Sequence, residues 1–191
     1  MSEFTVDRSY SSEYVIKRSR FIASVAPCDD TETLADFLQQ LYADYPQASH
    51  ITYAWRIQTA EGLRERCFDA GEPSGTAGRP ILQHLQGKQL INISLAVIRY
   101  FGGIKLGAGG LARAYGQAAR QVLESAVIQP HILYQTLEVT IDYADYHSLE
   151  QRLAPLGASV VDAEFGARVN AVLRVPETQV EAVEQLLRSR Y

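Results

Sequence analysis

Residues 90–126 leave few folds open to this chain. Leu90 to Arg99 alternates like a strand, five glycines fall between residues 102 and 110, and a helical pattern follows. On the strand, Ile91, Ile93, Leu95 and Val97 share one face. Asn92, Ser94, Ala96 and Ile98 share the other, which is expected to be less buried. The helix, from about Gly110 to Ala126, carries an inward stripe of Leu111, Tyr115, Ala118, Val122 and Ala126. Gly116 inside it costs about 1 kcal/mol against alanine, which predicts a close backbone approach there. A strand entering a helix through glycine leaves backbone N–H groups free to meet an anion. The charge pattern agrees, since no acidic residue lies between Glu72 and Glu124, an interval holding Arg79, Lys88, Arg99, Lys105, Arg113 and Arg120.

The preceding residues supply further strands and a second shaped loop. Tyr14 to Ala26 reads as one strand, with Lys17, Arg18 and Arg20 as the charges that protect a sheet edge. Asp29-Asp30-Thr31-Glu32 starts a packing helix that Pro46 ends. In His50 to Ile57, Ile51, Tyr53, Trp55 and Ile57 form a core face. His50, Thr52, Ala54 and Arg56 form a mildly basic face open to solvent or a ligand. A short strand over Arg64–Asp69 leads into Asp69-Ala70-Gly71-Glu72-Pro73-Ser74-Gly75-Thr76-Ala77-Gly78-Arg79-Pro80. That density of Gly, Pro, Ser and Thr makes a loop, with Pro80 opening the helix Ile81–Gln86. Asp69 and Glu72 suit hydrogen bonds to loop amides better than a metal, for which two carboxylates without a third ligand are weak evidence.

Composition decides the class. Apolar residues are 47% and charged residues 21% of 191, the proportions of a soluble globular chain. The start is polar and mixed in charge, and Leu90–Ile98 is too short to span a bilayer. Cys28 and Cys67 make neither a disulfide framework nor a metal site. The expectation is a cytoplasmic, monomeric protein with reduced thiols, no membrane partner, no metal and no cofactor. Residues 1–131 hold 13 basic and 13 acidic side chains, and residues 132–191 hold 5 and 9. With Gln129-Pro130-His131 as a break, this predicts an α+β chain of two domains, 1–130 and 131–191. The second reads β-α-β-β-α, a ferredoxin-like unit without its last strand; only Arg188 to Tyr191 follows its final helix, too little for a strand of ordinary length.

Gly71-Glu72-Pro73-Ser74-Gly75-Thr76-Ala77-Gly78-Arg79-Pro80 and Arg99-Tyr100-Phe101-Gly102-Gly103-Ile104-Lys105-Leu106-Gly107 resemble the two signature segments of the IMPACT family. Ser19-Arg20-Phe21 and His50 before Tyr53-Ala54-Trp55 match as well. Ala70 departs from the second aspartate common before Gly-Glu-Pro, which weakens a paired-carboxylate mechanism, and the C-terminal domain is shorter than usual. The resemblance implies an N-terminal domain like the second domain of ribosomal protein S5. It also implies a C-terminal domain like the fifth domain of elongation factor G. Eukaryotic members regulate translation through protein contacts, and bacterial ones are thought to bind nucleic acid or ribosomes.

The residues themselves favour a non-catalytic regulator that binds RNA or the ribosome through a cationic, glycine-rich face. Arg79, Arg99, Lys105 and Arg113 would meet phosphate, and Gly102, Gly103, Gly107, Gly109 and Gly110 would let backbone amides approach it. Tyr100 would stack on unpaired bases; Phe101 is expected to be buried instead. His50, Arg56, Asp69, Glu72, Ser74 and Thr76 complete the polar candidates. Two alternatives stand: an enzyme using a phosphorylated ligand or nucleotide, which the lack of Gly-Lys-Ser/Thr weakens, and a protein-interaction module. Both glycine loops are expected to converge on one face.

Overall fold

The structure, a computed structural model, describes residues 3–188, in two compact units divided between His131 and Ile132. The first contains β1 (Phe4–Val6), β2 (Tyr10–Ile16), β3 (Ser19–Pro27), α1 (Thr31–Asp44), β4 (His50–Thr59) and β5 (Gly62–Phe68). It continues with α2 (Gly78–Gly87), β6 (Ile93–Tyr100), α3 (Ala108–Ser125) and β7 (Ile128–Pro130). Five strands form one antiparallel sheet in the order β2-β3-β6-β4-β5, while β1 and β7 pair separately.

Central β6 explains the architecture. Ile93, Leu95 and Val97 pack with Leu85, Leu111, Tyr115 and Leu123 beneath α2 and α3. Ala96 and Ile98 pack with Leu41 and Ile51 beneath α1. Helices therefore cover both sheet faces, and the two faces read as half-exposed are not. Ser94, Thr52 and Ala54 are fully buried, and Asn92 is nearly so. Alternation in sequence marks two faces but not which of them a second helical layer covers. Trp55, the chain's single tryptophan, lies under α1 with Cys28, Leu34 and Ile57. Burial pushes the Cys28 thiol up to about 11, so it stays protonated at neutral pH.

The long N-terminal strand is in fact two, β2 and β3, joined by Lys17-Arg18. Both turn residues have positive φ, 47° and 63°. Such a turn ordinarily carries Asn-Gly, so this sequence hid it. Lys17 and Arg18 thus sit at a hairpin tip rather than along an edge strand. Arg56, expected on an open face, donates to Glu65 and to the carbonyls of Leu85 and Leu90 at the end of α2. It secures that helix terminus instead of facing open solvent.

The second unit contains β8 (Tyr134–Ile141), α4 (Tyr143–Leu153), β9 (Ser159–Phe165), β10 (Val169–Pro176) and α5 (Val180–Arg188). Its antiparallel sheet runs β8-β10-β9, the ferredoxin-like order for these elements. Ile141, Leu149, Leu153, Val169, Leu173 and Val183 form a core of its own. Arg188 closes α5, and the remainder of the expected tail, residues 189–191, lies outside the described residues.

Candidate functional site

Strand register assembles the site. Arg99 on β6 is the partner of Phe21 on β3 and of His50 on β4, so three side chains stand abreast on the face toward α3. Tyr115 of α3 closes over them, its ring edge-on to Phe21 at 5.1 Å. Into this layer the loop between β5 and α2 delivers Glu72. Its Oε1 accepts from Arg99 Nη1 at 2.5 Å and from the Tyr115 hydroxyl at 2.8 Å. The carboxylate and guanidinium side chains are 4% and 6% exposed. Two charges so far from water hold together because each has a partner. Burial, then Glu72, drives the Tyr115 phenol far upward, so it remains a donor at any ordinary pH.

His50 stands at the mouth of this pair. Its Nδ1 lies 2.9 Å from the Ala70 carbonyl. A carbonyl only accepts, so Nδ1 carries the proton and neutral His50 keeps a lone pair on Nε2. Nε2 is 3.9 Å from Glu72 Oε1. Gly71 makes room for the ring, since a Cβ there would come within 3.3 Å of Nδ1.

The two glycine loops treat their helices differently. Asp69 accepts from the N–H groups of Gly75, Ala77 and Gly78 at 2.8–3.0 Å, filling the N-terminus of α2 with the chain's own carboxylate. Burial alone would raise its pKa, but those three amides outweigh burial and hold it below the usual carboxylate range. At α3 the cap is Gly107, with φ 73° and no side-chain bond, and no acid occupies the first turn. Only the second helix start is open to an external anion.

Beside it lies a cleft of about 500 Å³, lined by His50, Glu72, Arg99, Phe101, Lys105 and Leu106 with Gly107, Ala108 and Leu111 at the helix start. Ser49 and Pro73 complete its wall, and Ser49 Oγ accepts from the Phe101 N–H. Both signature loops thus contribute to one cleft. Its charge differs from the expectation, because Arg99 is neutralised by Glu72 and Lys105 is the exposed cation lining it. Arg79 lies exposed on the first turn of α2 and does not line this cleft, and Arg113 lines a different one. Phe101, expected to be buried, is 50% exposed, while Arg99 lies 5.5 Å from its ring centroid. Tyr100 points to the opposite sheet face, packing among Ile22, Leu41 and Ile98 beneath Arg20.

Ser74 is exposed on its loop, and Thr76 donates to the Pro73 carbonyl. Gly102 is required by packing: a Cβ would fall 2.0 Å from the Arg18 carbonyl carbon. Gly103 has φ 83°, whereas Gly109 has open space around it. Gly110 touches Leu106 closely, a Cβ there lying 3.2 Å from its side chain. Among the described residues no three His, Cys, Asp or Glu side chains gather as a metal site. Tyr115, Ser49 and Ser19, whose Oγ accepts from Gly102 N–H, were not site candidates in the sequence. Tyr115 was hidden by the helical stripe that also marks it as core.

Residues 17–123 match the Impact N-terminal domain, and residues 139–191 match a domain of unknown function, DUF1949. The chain belongs to the IMPACT family. An IMPACT family member of Haemophilus influenzae is 33% identical over 95% of this chain and 89% of its own length. The IMPACT family member YvyE of Bacillus subtilis is 32% identical over 96% of this chain and 84% of its own. YigZ of Escherichia coli, another member, is 32% identical over 86% and 81%. A crystal structure of a hypothetical protein superposes over 98% of this chain and 92% of its own, with a TM-score of 0.71 and 29% identity. No helix among the described residues is long and apolar enough to cross a membrane.

Proposed function

We propose that the N-terminal unit binds single-stranded RNA, free or on the ribosome, and that the chain acts in translation as a regulator. The observation that supports this best is the cleft between the glycine loops. There an exposed aromatic ring, a lysine, an open helix start, the half-buried His50 ring and the buried Glu72 carboxylate meet within about 500 Å³. An unpaired base stacks on Phe101. Its phosphate accepts from Lys105 and from the first amides of α3. Glu72, and His50 Nε2 where the ring is neutral, are acceptors suited to ribose hydroxyls or base amino groups rather than to phosphate. Membership of the IMPACT family, whose eukaryotic members regulate translation, directs the reading toward translation.

Fluorescence anisotropy with a labelled single-stranded RNA tests this, alongside co-sedimentation with ribosomal subunits. Phe101→Ala is expected to weaken RNA binding by about 1–3 kcal/mol, and Lys105→Glu to weaken it and flatten its salt dependence. RNA affinity that neither change moves would sink the assignment. The cleft has the dimensions of a site for one small molecule, which favours a nucleotide as the second reading. Saturable binding of a nucleoside triphosphate with no affinity for RNA would replace the first by the second.

A further inference from the structure

We infer that a second cleft, on the far side of Leu106, holds a neighbouring phosphate of the same RNA strand, so that the strand crosses the glycine loop. This rests on the RNA reading above. The second cleft has a volume of about 650 Å³ and is lined by Tyr14, Ile16, Lys17, Leu106, Gly110 and Arg113, with Ala114 and Gln117. Leu106 lines both clefts and is the ridge between them.

Three observations point to an anionic occupant. Lys17 and Arg113 line the same cleft, no carboxylate lines it, and among the described residues neither cation makes an ion pair. Two like charges left facing one space repel, and an anion between them removes that cost. The nearby acid of β2, Glu13, holds Arg20 instead, at 3.0 Å.

Next, Lys17 and Arg18 take left-handed backbone, at φ 47° and 63°, where Asn-Gly is the unstrained choice. Such strain persists only where neighbouring structure holds it, and here it sets two cations at an exposed tip. Finally, that tip is fixed to the glycine loop. The Gly102 N–H donates to Ser19 Oγ, and Gly102 has no Cβ to collide with the Arg18 carbonyl. Lys17 on one side of Leu106 and Lys105 on the other therefore belong to a hairpin and a loop that are joined at Gly102.

Tyr14 and Ile16 give the second cleft an apolar floor for the sugar or base, and Gln117 a neutral hydrogen-bonding side chain. The ligand is thus at least a dinucleotide, and a mononucleotide occupies the Phe101 cleft alone.

The test compares uridine monophosphate with a hexauridylate RNA, each titrated against the full chain and against Lys17→Asn/Arg113→Gln. Asparagine suits the left-handed turn, and Arg113 lies exposed on α3, so the double variant keeps its fold and its melting temperature. The expected result is a loss of at least tenfold for the hexamer, with mononucleotide affinity unchanged within twofold. The salt slope for the hexamer falls by about 0.7 for each cation removed. Hexamer affinity that survives the double change but falls with Phe101→Ala overturns the second cleft and leaves the RNA reading standing. No hexamer binding by the unaltered chain overturns both.

Discussion

Arg99 shows how one side chain changes its meaning on folding. In the sequence it is one of six cations in an acid-free interval; in the fold it is a buried partner of Glu72, lying 5.4 Å from the Phe21 ring centroid and 5.5 Å from that of Phe101. Arg99→Met therefore leaves the buried Glu72 charge without its guanidinium, and is expected to destabilise the first unit by about 3–5 kcal/mol in urea denaturation. The double change Arg99→Met/Glu72→Gln should recover part of that loss, because the stranded charge is gone. Asp69 makes the complementary case. Asp69→Ala leaves the first amides of α2 unbonded and is expected to cost about 1–2 kcal/mol. Its pKa is lowered in the folded chain, so its contribution is complete above the unfolded value and disappears as pH falls through the folded one. Melting temperatures of wild type and Asp69→Asn should accordingly begin to converge as pH falls past about 4, the unfolded value, and meet only below the folded one. Which carboxylate served amides and which served an arginine was beyond the sequence, because Asp69 and Glu72 are three residues apart in one loop. Their partners lie on α2, β6 and α3.

Among the elements, those with strong periodicity were legible and those set by tertiary contact were not. A strand read as Leu90 to Arg99 and found at Ile93–Tyr100, the helix after the glycines and the β-α-β-β-α order of the second unit all follow from apolar spacing. The β2–β3 turn does not, since a Lys-Arg pair carries no turn signal and its left-handed backbone is imposed by neighbours. Glycine shows the same divide. Gly116 was expected to permit a close approach, yet a Cβ there would meet His84 Nε2 at 3.5 Å and Pro80 at 3.9 Å, ordinary contacts. Gly116→Ala should therefore stabilise α3, by up to about 1 kcal/mol. Gly102→Ala should do the opposite, forcing the hairpin tip away from the loop and lowering the melting temperature. Thermal unfolding of the two variants side by side checks both signs. That the two glycine-rich segments form loops could be read from composition alone. That one helix start is filled by Asp69 and the other left open could not, because capping is settled by which side chain comes back to it.

At the scale of the whole molecule, charge and core are partitioned together. The first unit balances its charges, whereas residues 132–191 carry 5 basic and 9 acidic side chains. In the second unit Glu138, Asp162 and Glu164 line one cleft of the sheet. An acidic surface repels phosphate, so a fragment ending at His131 should bind RNA at least as well as the full chain. The difference should shrink as salt rises, which anisotropy at two ionic strengths will show. The fragment is expected to fold, since its sheet and three helices bury a separate core.

Trp55, shut beneath α1, gives that partition an optical signature. With no second indole in the chain, fluorescence excited at the red edge arises from the first unit alone, while tyrosines are spread over both. The emission of the folded protein should be blue-shifted and shift to the red only when the sheet under α1 opens. Circular dichroism registers both units. Recorded together during one denaturant titration, the two signals separate the opening of the first unit from that of the second without any label.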